Sequence, residues 1–178
     1  HAQPILEIKV TDGRAGEGPS PFVLEFDHNE IEEGPMGFMI EDRYLRQSLL
    51  SNLQAADNIT EINDASVVSH EISDAGVTVT LSSGTTLSAR VLIGADGLHS
   101  PTAQRAGLKH MRWDYDQTAL VCAVQHAKPH EGIAHQFFMP AGPLAILPLP
   151  GHQSSIVWTE TTAEAKRIST LDDTGYLA

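Results

Sequence analysis

The stretch that most restricts how this chain can fold is Val91-Leu92-Ile93, followed at once by Gly94-Ala95-Asp96-Gly97-Leu98-His99-Ser100-Pro101. An unbroken apolar run reads as the end of a strand covered on both faces. Asp96 then falls at a strand's carboxyl end, where open α/β sheets gather their ligands. Gly94 and Gly97 allow a sharp turn and a close approach of backbone to a bulky partner. Ser100 and Pro101 form a helix start, a capping hydroxyl followed by a first-turn proline, and Gly107 supplies a stop. The order is strand, carboxylate, tight turn, short helix. A carboxylate so placed accepts hydrogen bonds from ribose or ribitol hydroxyls, and a helix N-terminus suits a phosphate. The same residues equally describe a plain Asp-Gly turn with a capped helix.

The flanking periodicity predicts the remaining elements. Ile5 to Val10 and Phe22 to Phe26 alternate as strands do, with a Gly/Pro-rich surface loop between them from Gly13 to Pro21. Leu45, Leu49 and Leu53 recur every four residues, so a helix capped by Asp42 and ending near Asp57-Asn58 is expected. Ala65 to Ile72, Val77 to Leu81 and Thr86 to Ile93 are separated by short Gly-bearing turns and read as a three-stranded meander. Strands are further predicted at Ala119 to Gln125, His135 to Met139, Leu144 to Leu147 and Ser155 to Thr159. A helix is predicted from Thr162 to Ile168, with Glu160 and Glu164 suiting its dipole.

Composition narrows the function classes. A formal charge of −12 repels a phosphate backbone and argues against nucleic acid as a partner. The single cysteine, Cys122, excludes an internal disulfide and a multi-cysteine metal site. His126, His130 and His135 are the closest histidine cluster. No acidic or thiol ligand set converges on them, so no metal site is expected. The absence of G-x-S-x-G removes the hydrolase reading. Trp113, Tyr115, Phe137, Phe138 and Trp158 could line an aromatic pocket, although strand aromatics more often belong to a core.

Gly94 to Ser100 resembles the second flavin fingerprint of the aromatic-ring hydroxylase flavoproteins, GADGxxSxxR. Two further stretches are similar to the ubiquinone-biosynthesis hydroxylases within that superfamily. Gly34-Pro35-Met36-Gly37-Phe38-Met39-Ile40-Glu41-Asp42-Arg43-Tyr44-Leu45 resembles their MGYMVENRxL lead into a helix. Gly142-Pro143-Leu144-Ala145-Ile146-Leu147-Pro148-Leu149 with Ser155-Ile156-Val157-Trp158-Thr159 resembles their GPLALLPL…SSIVWT passage. The resemblance implies an α/β (α+β) chain: a substrate domain with a large mixed or antiparallel sheet, plus part of a Rossmann-like FAD-binding domain. It implies substrate-domain strands in 1–40, a partial FAD-binding region in 41–110 and a substrate-binding sheet in 111–178. Gly94, Asp96 and Gly97 would face the flavin, and Arg43 would approach it from the helix start; read from the residues alone, Arg43 is equally an exposed helix arginine.

The implied activity is FAD-dependent monooxygenation of the aromatic ring of a ubiquinone precursor. NAD(P)H or another donor would supply electrons, and the substrate would be a prenylated aromatic small molecule. The flavin does that chemistry while the protein positions the ring, so the resemblance assigns no catalytic side chain. A cytoplasmic protein is implied, peripheral at the inner membrane or within a ubiquinone-biosynthesis complex. The second reading is a non-catalytic lipid- or partner-binding module built on the same fold. The chain departs from the fingerprint where its arginine falls at Ala103. Arg105 is two residues late, about half a helical turn, and so points elsewhere. No G-x-G-x-x-G occurs, so the chain is expected to be the middle of a longer protein, with the adenine-diphosphate fingerprint outside it.

Overall fold

The computed structural model describes residues 1–14, 18–172, 174 and 175. By its internal contacts the chain divides into two compact units, residues 1–51 with 114–178, and residues 52–113.

The first unit is built on a six-stranded sheet. Its strands are β2 (Glu7–Arg14), β3 (Gly18–Asp27), β8 (Gln117–Gln125), β9 (Ile133–Phe138), β10 (Pro143–Leu149) and β11 (Gln153–Thr161), in the order β3-β2-β9-β10-β11-β8. Every neighbouring pair is antiparallel except β2 with β9, so the sheet is mixed, as expected. A two-stranded ladder, β1 (Gln3–Ile5) with β4 (Gly37–Met39), contacts β10. Helix α3 (Thr162–Ile168) packs on β8 and β11 through Ala165 and Ile168, which are 1% and 4% exposed. Its capping hydroxyl is Thr161, which accepts from the Glu164 amide. Glu160 belongs to β11 instead.

The second unit holds the meander β5 (Val67–Ser73), β6 (Gly76–Leu81) and β7 (Thr86–Ala89), and the short helix α2 (Pro101–Arg105). Val77, Val79 and Leu81 form its core, with Val67 and Leu92 packed against them. Helix α1 (Asp42–Gln54) spans the division between the units in sequence.

Four expectations need correction. The predicted strand over Ile5 to Val10 is two strands, because Leu6 leaves both ladders. Its amide donates to the Gly132 carbonyl at 2.8 Å, and its carbonyl accepts from the His28 amide at 3.0 Å. The Gly13–Pro21 loop is shorter than expected: Gly13 pairs with Pro19 past a register shift, and residues 15–17 of that loop lie outside the described ones. Edge strands tolerate Pro and Gly at such irregularities. In α1 the first turn closes on the Glu41 carbonyl, so Asp42 is the first helical residue and not the cap. The helix ends at Gln54, once the apolar repeat stops at Leu53. The third meander strand ends at Ala89, whose ladder partner Val77 is one residue from the start of β6. Val91 and Ile93 are 71% and 83% exposed while Leu92 faces the meander core, so this run is covered on one side.

Two measurements test this packing. Gly76 adopts φ +132°, and a Cβ there would collide with the Ala89 carbonyl oxygen. Gly76→Ala should therefore cost more than about 1 kcal/mol, read as a lower denaturant midpoint. His135 on β9 stacks on Phe137 with ring centroids 6.2 Å apart. Burial, and secondarily the Lys9 ammonium, push its imidazole below the ordinary value. A lowered folded value favours the neutral ring, so the stability it contributes is present above about pH 6.5 and lost as pH falls further. His135→Phe should shrink the drop in melting temperature between about pH 7.5 and about pH 5.5.

Candidate functional site

Local chemistry fixes the turn after Ile93. The Ser100 side chain accepts from the Ala103 amide at 3.0 Å, and Pro101 opens the helix, which is the predicted start. The same Ser100 hydroxyl donates to Asp96 Oδ1, and the Thr102 amide donates to Asp96 Oδ2 at 2.9 Å. Asp96 thus binds back onto the first turn of the helix it precedes. These bonds, from Ser100 first and then Thr102, hold its carboxyl well below the usual carboxylate range. Each carboxylate oxygen can accept more than one hydrogen bond, so the exposed side chain keeps free acceptor sites.

The two glycines act differently. Gly97 adopts φ +88°, and a Cβ there would meet nothing within 4 Å, so open space borders the backbone at that point. A Cβ at Gly94 would lie 3.0 Å from Thr102 Cγ2, so Gly94 is where the incoming segment presses on α2. Asp96 does not end a strand ladder; it follows an extended, unpaired segment.

Two clefts flank this arrangement within residues 52–113. One, of about 400 Å³, is mainly apolar and includes Ile72, Val77, Leu92, Ala103 and Leu108. His70 also lines it, and its Nδ1 is buried with no hydrogen-bond partner. The other, of about 410 Å³, contains Asp96, Thr102 and Arg105. Ala103 and Arg105 face different clefts, as half a helical turn requires. That offset turns Arg105 toward the cleft of Asp96. No spacing rule revealed this, because it depends on how α2 lies against the meander.

Arg43 belongs to the other unit. Its guanidinium donates to Glu41 at 2.9 Å and lies 4.7 Å from the Tyr44 ring centre. The Glu41 hydrogen bond raises its already high pKa. The side chain is largely exposed, a fixed cation open to a ligand.

The remaining candidates separate by strand register. Phe137 and Trp158 both pair with Leu144 and share one face of the six-stranded sheet; Phe138 is on the other face, 58% exposed. Trp113 and Tyr115 are exposed in the segment before β8. His126 and His130 approach to 5.9 Å between ring centres, but their ring nitrogens engage Lys128, Ser154, Leu149 and Gly132. Among the described residues no group of three metal-ligating side chains forms.

A model of the FAD binding domain family matches residues 25–173. Ubiquinone hydroxylase UbiL of Rhodospirillum rubrum is 43% identical over 159 residues, which cover 89% of this chain and 36% of that protein. The 3-demethoxyubiquinol 3-hydroxylase of Escherichia coli is 30% identical over 147 residues, covering 83% and 38%. The chain therefore spans a little over a third of the length of these curated relatives. Among solved structures it resembles PqsL, a probable FAD-dependent monooxygenase from Pseudomonas aeruginosa. The TM-score is 0.77 at 17% identity, over 94% of this chain and 45% of that one. It also resembles Klebsiella pneumoniae HpxO complexed with FAD and uric acid, with TM-score 0.67 at 19% identity, over 89% and 40%. The structural likeness shows the fold, and the family match covers most of the sequence: the chain belongs to the FAD binding domain family.

Proposed function

We propose that this chain is the central portion of a flavoprotein monooxygenase that hydroxylates the aromatic ring of a ubiquinone precursor. The observation that carries the reading is the Asp96 turn: an ionised, exposed carboxylate with free acceptor sites beside the open backbone of Gly97. The donor and acceptor set fits a hydroxyl-bearing cofactor, since an ionised carboxylate accepts from sugar hydroxyls and cannot donate. The curated relatives, by their names ubiquinone hydroxylases, supply the substrate class.

In this reading Gly94, Asp96, Gly97 and Arg43 hold FAD. Asp96 takes the hydroxyls of its sugar chain, Gly97 admits its backbone, and Gly94 keeps α2 close enough to present Asp96. Arg43 offers a cation to its polar groups. FAD held there and reduced by an external donor would supply the oxygen-transfer chemistry. The flavin-facing part falls within 41–110, and the sheet strands of 1–40 and 111–178 form the substrate side. The electron donor is NAD(P)H or another reductant. No described helix is long and apolar enough to cross a membrane; a prenylated substrate would be drawn from a bilayer by peripheral association.

Flavin affinity is gathered along the whole cofactor, and these 178 residues hold no G-x-G-x-x-G turn for the pyrophosphate. The purified chain should therefore be colourless, with a melting temperature that micromolar FAD barely shifts. In the full-length protein, Asp96→Ala should weaken flavin retention about tenfold or more, measured by absorbance after gel filtration. The depressed carboxyl also sets a pH expectation. Its contribution is present above the ordinary value of about 3.9 and is lost only as pH falls through the lower folded value. Wild-type flavin content should accordingly stay constant down to about pH 5. Unchanged flavin content in Asp96→Ala would contradict the site.

A further inference from the structure

Two Asp–Gly steps occur in the chain, Asp12–Gly13 and Asp96–Gly97. Such a step rearranges more readily than other aspartyl bonds, because glycine has no Cβ to shield its amide nitrogen from the neighbouring carboxyl. The nitrogen bonds to Cγ of the neutral carboxyl, the carboxyl hydroxyl leaves with the amide proton as water, and a cyclic imide remains. Water then opens the imide at either carbonyl. Opening at the main-chain carbonyl leaves an isoaspartate, whose backbone runs through the former side chain. Nothing is oxidised or reduced.

The fold treats the two steps differently. Asp12 lies in β2 with Phe138 of β9 as its ladder partner, and Gly13 pairs with Pro19 of β3. An extended strand stands the side chain out of the pleat, away from the next amide, so the ladders themselves hold this step apart. Asp96 and Gly97 belong to no ladder or helix. Gly97 adopts φ +88°, and among the described residues no acceptor takes its amide proton. The restraint falls on the carboxylate instead. Its Oδ1 accepts from the Ser100 hydroxyl and its Oδ2 from the Thr102 amide at 2.9 Å, both at the start of α2. Ring closure needs Cγ to reach the Gly97 nitrogen, a movement that oxygens tied to Ser100 and Thr102 resist. It also needs a neutral carboxyl, and the same bonds, Ser100 first, hold Asp96 ionised well below the usual carboxylate range.

We propose that Asp96–Gly97 is a latent site of backbone isomerisation, and that Ser100 and Thr102 keep it closed by holding the carboxylate on α2. Ser100 is then a positioning residue with a duty besides capping: it preserves the turn as an ordinary α-linked aspartate. Conversion would lengthen the main chain and move the carboxylate off its side chain, so the bonds to Ser100 and Thr102 could not form in the same way. A carboxyl held one pH unit lower has about a tenth of the neutral form, which sets the scale of the protection. The inference stands on the turn's own bonds and does not require the monooxygenase reading.

The test is peptide mapping of the full-length protein, freed of any bound flavin and incubated for several weeks in native buffer or in guanidinium chloride. Trypsin releases residues 91–105, which carry Asp96, and residues 10–14, which carry Asp12. Chromatography with mass spectrometry separates the isoaspartyl from the aspartyl form of each. In wild type, 91–105 should gain isoaspartate at least about tenfold more slowly in native buffer than in denaturant. Ser100→Gly, which keeps a good helix start but no hydroxyl, should raise the native rate at Asp96 about tenfold and leave 10–14 unchanged. Ser100→Thr, which keeps the hydroxyl, should stay near wild type. Equal native and denatured rates at Asp96 in wild type overturn the proposal, as does a Ser100→Gly rate equal to that of wild type. A rise in both peptides together in Ser100→Gly also overturns it, since the protection would then belong to the fold at large.

Discussion

The second unit depends on one carboxylate. Asp96 receives the Ser100 hydroxyl and the Thr102 amide, so the residue that opens the turn also fastens the helix that closes it. A helix as short as α2 is not stable by propensity; it persists because Ser100 caps it and Asp96 draws its first turn back toward the incoming segment. Close packing of Gly94 on Thr102 follows from that geometry. So does the division of the surroundings into a mainly apolar cleft on the Ala103 side and a charged one holding Asp96 and Arg105. The same hydrogen bonds that build the turn keep the carboxylate ionised, and structure and chemistry are here one interaction.

The first unit depends on register. A one-residue slip of β9 against β2 and β10 would exchange the faces of His135 and Gln136. What holds the register is distributed: the continuous β8 to β11 ladder from Gln125 to Thr161, the α3 contact through Thr118, and Leu6 acting as a junction between two sheets. Buried Pro148 and Ser154 lie at one end of the side that packs on α3, where His126 bonds the Ser154 hydroxyl at 3.0 Å.

Features encoded by neighbouring residues were legible in the sequence. The Ser100-Pro101 helix start, the bounds of α3, the Gly-bearing turns of the meander and the alternation of the later strands all depend on contacts within a few positions. Features that depend on distant partners were not. Nothing in Ile5 to Val10 announces that Leu6 serves Gly132 and His28, and nothing in Thr86 to Ile93 says that the ladder with β6 stops at the Val77–Ala89 pair. The candidate site divides in the same way. Asp96, Gly94 and Gly97 stand out by motif, and Arg43 by its place at a helix start. The turn of Arg105 toward the cleft of Asp96 is a product of tertiary arrangement, invisible to spacing.

The proposed activity of the whole protein is transfer of one oxygen atom from dioxygen to an aromatic ring. The most direct measurement is mass spectrometry of the product formed by the full-length, flavin-loaded protein from an alkylated phenol under isotopically labelled dioxygen. The expected product is a hydroxylated ring carrying one labelled oxygen atom, formed only when a reductant is supplied. An unmodified ring, or a new hydroxyl whose oxygen comes from water, would contradict it.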